Sequence, residues 1–268
     1  MIWAGWSLVL AALVAVGPTV SAGQVPVRRV SVFGDSLMTE AADPFAVDIG
    51  ADATVSESVF PGTAPCDWST EMTADAATHP TAVVLEFSGN ALTPCIAGAD
   101  YETPAYFDQY GIDVSAAVDA YVNAGTHVFL VGNAPTLSQV NAHDTRWNTL
   151  NWNYSAMAAN LPGRVTFVNA GAAVESASGQ FVWTVPGRPG LDVVRAPDGQ
   201  HFCSAAVLSW PEWRSCGSLA PGAIGYARAI AAAVGRYLKT GSAPAYVGPP
   251  LDPENVAPTM APGQVDPY

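Results

Sequence analysis

Short runs of β-branched and apolar residues recur along the chain, each closed by glycine or another turn former. Val27 to Phe33 (VRRVSVF) runs into Gly34-Asp35-Ser36, Ala82 to Phe87 (AVVLEF) lies between Pro80 and Gly89, and Thr126 to Val131 (THVFLV) stops at Gly132. Arg164 to Val168 (RVTFV) is a fourth run and Ala53 to Val59 (ATVSESV) a weaker fifth. Between them, apolar positions recur at helical spacing over Tyr106 to Ala124, Thr145 to Leu161 and Ala220 to Leu238. This pattern predicts strands and helices in alternation. Alternation of that kind predicts an α/β fold with a parallel sheet, covered by helices on both faces and joined by right-handed crossovers. Ligands in such sheets gather at the carboxyl ends of the strands, so the residues just past each strand are the candidates for chemistry.

Composition narrows the picture. The chain has 268 residues, 50% of them hydrophobic and 12% charged, enough for one large core and too little for two domains of ordinary size. A formal net charge of −13 repels phosphate backbones and anionic lipid, which argues against nucleic-acid binding. Met1 to Ala22 carries no charged side chain, has an apolar centre (WSLVLAALVAV) and ends in small residues at Val20-Ser21-Ala22. It reads as a secretory signal peptide over residues 1–22, although no Lys or Arg precedes the apolar run; retention as an anchor is the other reading. No other stretch approaches membrane-spanning length, so no stable membrane insertion is expected after cleavage. The end of the chain, 241–268, is rich in proline and without apolar period, and reads as a disordered tail.

There are four cysteines, Cys66, Cys95, Cys203 and Cys216, with no C-x-x-C pair. The four histidines, His79, His127, His143 and His201, do not fall at zinc-ligand spacing, so no metal site is expected, and two disulfides in an oxidising compartment are the better reading. Three connectivities are open.

The chemistry lies in the turns. Ser36 follows the first strand, where its hydroxyl would be exposed and its N–H would stand at a helix N-terminus, as suits a nucleophile whose amide stabilises an oxyanion. An ordinary helix N-cap is the plain alternative. Gly62 follows the second strand in Phe60-Pro61-Gly62-Thr63, and Asn90 follows the third in Ser88-Gly89-Asn90. Each could turn an N–H toward the same oxyanion, or simply make a turn. Asp198-Gly199-Gln200-His201 precedes the last helix; three residues bring the carboxylate back beside the imidazole, leaving its other nitrogen free for a serine proton. Each piece alone is common.

In this order, the pieces resemble the SGNH (GDSL) hydrolase family, in an exported, actinobacterial-type form, over roughly Arg28 to Leu238. One departure stands out: the family's third block usually reads Gly-x-Asn-Asp, whereas Gly89 directly precedes Asn90 here and Ala91 follows. The resemblance implies a flavodoxin-like three-layer α/β/α sandwich with a parallel five-stranded sheet, in a domain over residues 23–240. It implies Ser36 as nucleophile, His201 as general base and acid, Asp198 as its orienting partner, and Ser36, Gly62 and Asn90 as the oxyanion hole. The expected activity is that of a secreted or envelope serine esterase acting on small-molecule, lipid or glycan esters, without cofactor and as a monomer. An acyltransferase with the same triad and a non-catalytic envelope binding protein are the rivals. With both oxyanion loops leaving one end of the sheet, a Cys66–Cys95 bridge would brace them, and a Cys203–Cys216 bridge would pin the loop of the base.

Other residues have plainer readings. Trp147, Trp152 and Tyr154 read as a helix face in the core or at its rim, and Trp183, Trp210 and Trp213 as candidate pocket walls. His127 reads as a structural histidine and Asp35 as a loop tie. Glu86, inside an apolar strand, needs a partner, for which Arg28 or Arg29 is the expectation.

Overall fold

In a computed structural model, residues 27–91, 93–96, 103–186, 191–203 and 218–268 are described. The expected signal peptide, Trp210, Trp213 and Cys216 lie outside them. Five strands, β1 (Arg29–Gly34), β2 (Thr54–Val59), β3 (Ala82–Glu86), β4 (His127–Val131) and β5 (Val165–Val168), form a wholly parallel sheet in the order β2-β1-β3-β4-β5. Around them run α1 (Ser36–Ile49), α2 (Ser69–Ala76), α3 (Pro104–Asn123), α4 (Leu137–Ala142), α5 (Thr149–Asn160) and α6 (Pro221–Thr240). A small antiparallel pair, β6 (Thr184–Pro186) and β7 (Leu191–Val193), sits outside the sheet.

Every residue of β3 and β4 is buried. Side chains alternate between the faces with the period of two. Ala82 and Val84 join Val30, Val32, Phe45 and Ile230 beneath α1 and α6, while Val83 and Leu85 join Tyr106, Tyr121 and Phe167 beneath α2, α3 and α5. Each buried Val, Leu, Ile or Phe among them contributes about 1.5–3 kcal/mol by leaving water. The two layers fix where α1 starts. Gly34 ends β1 with no room for a side chain: a Cβ there would lie 2.5 Å from Met38 Cβ and 2.8 Å from the Glu86 carbonyl oxygen. The absent side chain lets α1 rise directly from the sheet.

Three expectations are corrected. The segment from 241 onward is ordered. Tyr246–Val247 forms β8, parallel to β5, so the sheet has six strands and not five. Beyond it the chain straps across the molecule: Trp152 and Asn148 donate to the Asp252 carbonyl, Phe181 exchanges backbone bonds with Thr259 and Ala261, and Gln264 Oε1 accepts from the N–H groups of Trp183 and Thr184. An extended strap needs no apolar period, because isolated anchors and borrowed backbone partners hold it, and its prolines lose little entropy on ordering. The second correction concerns Trp183. It is 1% exposed, packed edge-on against Phe181 and Tyr268, and is core rather than pocket wall. The predicted helix from Thr145 starts at Thr149, since Thr145 to Asn148 are turns.

Candidate active site

Asp35 closes β1 and caps α1: one of its carboxylate oxygens accepts the Leu37 N–H at 3.1 Å. Ser36 is then the first helical residue, where N–H groups have no partner within the helix. Its Oγ lies 3.0 Å from His201 Nε2, across 165 residues of sequence. On the other side of the ring, His201 Nδ1 lies 2.6 Å from Asp198 Oδ2. Asp198 Oδ1 accepts the N–H groups of Gln200 and His201, so the carboxylate is held by its own loop. That loop is tight. The Ala196 N–H donates to the His201 carbonyl at 2.6 Å, and Gly199, at φ +67°, carries the turn against Leu137.

Desolvation pushes Asp198 upward, but the hydrogen bonds from the His201 ring and the two N–H groups outweigh it and hold the carboxyl at about 2. Burial alone would lower His201; the bond with Asp198 and the charges of Glu40, Asp198 and Asp35 overcome it and raise the imidazole above its ordinary value. The pair is thus an ionised carboxylate against a ring made more basic.

Asn90 and Gly62 stand differently. Asn90 Nδ2 donates to Asp35 Oδ2 at 2.8 Å, beside the Ser88 N–H and hydroxyl, each at 2.7 Å. Gly89, at φ +104°, lets the chain fold back so that Asn90 reaches Asp35. Asp35 therefore fastens the third-strand loop to the start of α1, in keeping with its reading as a tie. Gly62 occupies an exposed turn past β2 at φ +81°; the neighbouring Thr63 hydroxyl donates to the Phe60 carbonyl at 2.8 Å, with Gly34's carbonyl at 3.4 Å. No hydrogen bond joins Gly62 to Ser36 or His201 among the described residues.

The loops after β2 and β3 are linked by a Cys66–Cys95 disulfide, with Cα atoms 6.0 Å apart. Asp67 adds to it, accepting the Thr93 hydroxyl at 2.6 Å and the Ala64 N–H at 2.8 Å. The expected Cys203–Cys216 bridge involves a residue outside the described ones.

Glu86 departs from expectation. Its partners are the Met38 N–H at 3.1 Å and the Tyr226 hydroxyl at 3.2 Å, and it shares a hydrogen bond with Asp35; Arg29 pairs instead with Asp75. The reason is register: Glu86 faces Gly34 at the carboxyl end of the sheet, while Arg29 opens β1 at the other end, roughly 16 Å away at about 3.3 Å per residue. Burial, then the Asp35 charge, push Glu86 well above the ordinary range, so it is the protonated partner donating to Asp35. His127, 2% exposed, bonds the Thr166 hydroxyl at 2.9 Å and stacks on Tyr237, as a structural histidine would.

Two residues were not anticipated. Glu40, wholly buried on α1, accepts the Phe202 N–H at 2.7 Å, directly behind His201; desolvation raises its pKa to about 7. Its spacing of four from Ser36 was the available signal, because such positions share a helix face. Arg195, 1% exposed, donates to the carbonyls of Gln200, Pro135 and Val174, and so anchors the loop of His201 from below. Nothing in its local sequence marks it.

A cavity of about 520 Å³ opens at the ends of β3 and β4, bordered by Leu37, Asn90, Thr136, Gln139, Trp147 and Gln200. Among the described residues, no three His, Cys, Asp or Glu side chains group closely enough to hold a metal ion. None of the described helices is long and apolar enough to cross a membrane.

A family model described as "Protein of unknown function (DUF459)" matches residues 29–207. The chain belongs to this family. No curated protein matches it. Among solved structures, it is similar to a candidate acylhydrolase from Bacteroides fragilis (13% identity, TM-score 0.52, 81% of this chain and 92% of the other). It is also similar to a lipase/acylhydrolase from Enterococcus faecalis (18% identity, TM-score 0.50, 81% and 98%). At these identities the likeness shows the fold, the α/β fold of SGNH hydrolases, in this DUF459 member.

Proposed function

We propose that this DUF459 chain is an exported serine esterase that works through an acyl-enzyme on Ser36. One observation carries the reading: a serine hydroxyl, an imidazole and a carboxylate stand in line at 3.0 and 2.6 Å, at the carboxyl end of a parallel sheet. His201 Nε2 takes the Ser36 proton as Oγ bonds to the ester carbonyl carbon. The developing oxyanion is held by the Ser36 N–H, the Asn90 side-chain amide and the Gly62 N–H, donors of a kind worth about 10²–10³ in rate each. Asn90 keeps its second N–H for this, since one is enough for Asp35. The carbon–oxygen bond to the alcohol then breaks as His201 returns the proton to the leaving oxygen. Water, deprotonated by His201, attacks the acyl group, and Ser36 leaves with its proton restored. An acceptor hydroxyl in place of that water would make the same site an acyltransferase, and product partition with added alcohol separates the two. The disulfide between the oxyanion loops supports export to an oxidising compartment.

Ser36→Ala is expected to lower p-nitrophenyl acetate hydrolysis by about 10⁴ or more without changing thermal unfolding. A fluorophosphonate probe should label the parent protein at Ser36 alone. A Ser36→Ala variant that kept most of its rate would remove the proposal.

A further inference from the structure

Resting on the esterase reading, we propose that the cavity lined by Leu37 and Gln200, the chain neighbours of Ser36 and His201, receives the neutral, hydroxyl-rich alcohol portion of the ester, so that the substrate is an O-acylated neutral oligosaccharide rather than a long-chain lipid ester. The first argument is the unused hydrogen-bonding capacity of the walls. Gln139 Oε1 accepts the Thr136 N–H at 2.9 Å, but its Nε2 has no partner among the described residues, and neither does the side-chain amide of Gln200. Asn90, also in the wall, gives one Nδ2 hydrogen to Asp35, and its Oδ1 has no partner among the described residues. The Thr136 and Ser138 hydroxyls lie 2.9 Å apart; Thr136 also accepts the Gln139 N–H at 3.3 Å, while Ser138 keeps acceptor capacity beyond the bond between them. An alkyl chain laid against these groups would strip them of water and give nothing back, at about 1–3 kcal/mol each. Sugar hydroxyls replace that water bond for bond.

Charge narrows the class further. Among the described residues no carboxylate borders the cavity, and the cation that does, Arg195, is 1% exposed: Nη1 and Nη2 donate to three carbonyls, and Nε, without a partner, is buried. An anionic substituent would find that buried guanidinium out of reach, and a chain of net charge −13 would repel it at a distance.

The second argument is Trp147. Its sequence reading is core or rim; its ring is half-buried, with the indole N–H held by the Val256 carbonyl at 2.9 Å. It borders both the cavity and a second hollow of about 310 Å³ that Gln180 and Thr259 also line. A flat aromatic face, pinned at its polar edge and shared by two hollows, suits the apolar face of a sugar ring in a chain that continues past the site.

The experiment compares kcat/KM of the full chain on O-acetylated xylo-, manno- and chito-oligosaccharides with that on p-nitrophenyl octanoate and dodecanoate. At least one oligosaccharide should be turned over about 100-fold faster than octanoate. Gln139→Leu and Trp147→Ala should each raise its KM about tenfold while kcat changes little, and Trp147→Phe should restore most of the affinity. Thermal unfolding of each variant checks that it folds. The proposal is overturned if the long-chain esters exceed every oligosaccharide, or if a folded Trp147→Ala keeps the parent KM. Fluorophosphonate labelling keeps the two readings apart: a labelled Ser36 with no oligosaccharide turnover rejects the substrate class alone, whereas an unlabelled Ser36 rejects the esterase itself.

Discussion

Glu40 stands one helical turn behind the proposed nucleophile, and its carboxylate holds the backbone of Phe202 next to the proposed base. One side chain thus ties the two halves of the site together, and its charge is among those that raise His201. The sign of its removal follows. A neutral amide at position 40 favours the imidazolium less, so His201 loses its proton at lower pH. Glu40→Gln is therefore expected to move the acidic limb of the kcat/KM profile to lower pH, with a several-fold loss of rate if the loop loosens. A limb that stays in place would assign Glu40 a structural role alone. Glu40 and Arg195 escaped the sequence reading because a buried charge looks like a surface one until its surroundings are known. Glu86 was noticed, as a carboxylate in an apolar strand, but its partner was misassigned: neighbouring strands were clear in the pattern, the register between their ends was not.

At the scale of elements, the site is four turns and the ties between them. The Cys66–Cys95 bridge closes a loop with a sequence separation of 29, which on chain-entropy grounds stabilises the fold by about 3–4 kcal/mol. Cys66→Ser with Cys95→Ser, or reduction, should slow turnover before the core unfolds, since the loops bearing Gly62 and Asn90 lose their brace; activity and near-ultraviolet circular dichroism followed together through a reductant titration would test this. An unchanged rate in the reduced protein would refute the bracing role. The strap is the other tie. Its last residue, Tyr268, donates from its hydroxyl to the Arg195 carbonyl, and Gln264 serves three backbone groups around Trp183. Removing residues 250–268 should lower Tm by about 5 °C or more and shift Trp183 emission to the red. The strap was read as a disordered tail because composition reports that a segment cannot fold alone, and this one does not fold alone; it lies on a surface already built.

For the whole molecule, several buried groups keep protons that the unfolded chain would release. Glu40 is raised to about 7 and Glu175 to about 8, Glu86 is raised well above its ordinary range, and His201 is raised as well. Above the ordinary histidine range of about 6.5, the native state binds more protons than the unfolded one, so stability falls as pH rises. His127, lowered to about 4, acts in the opposite sense but only below that range. Thermal unfolding should therefore show Tm falling by several degrees between pH 6.5 and pH 9; a rising Tm would contradict the protonated carboxyls. The sequence by itself determined the five central strands, three of the helices that cover them and the turns that carry Ser36, Asn90, Asp198 and His201, because periodicity and turn chemistry are local and are written in neighbouring residues. Only the tertiary structure decided the sixth strand, the partner of Glu86, the burial of Trp183 and the positions of Glu40 and Arg195. Those depend on what each residue meets after dozens of intervening residues have packed, and packing is a property of the assembled layers that no local pattern contains.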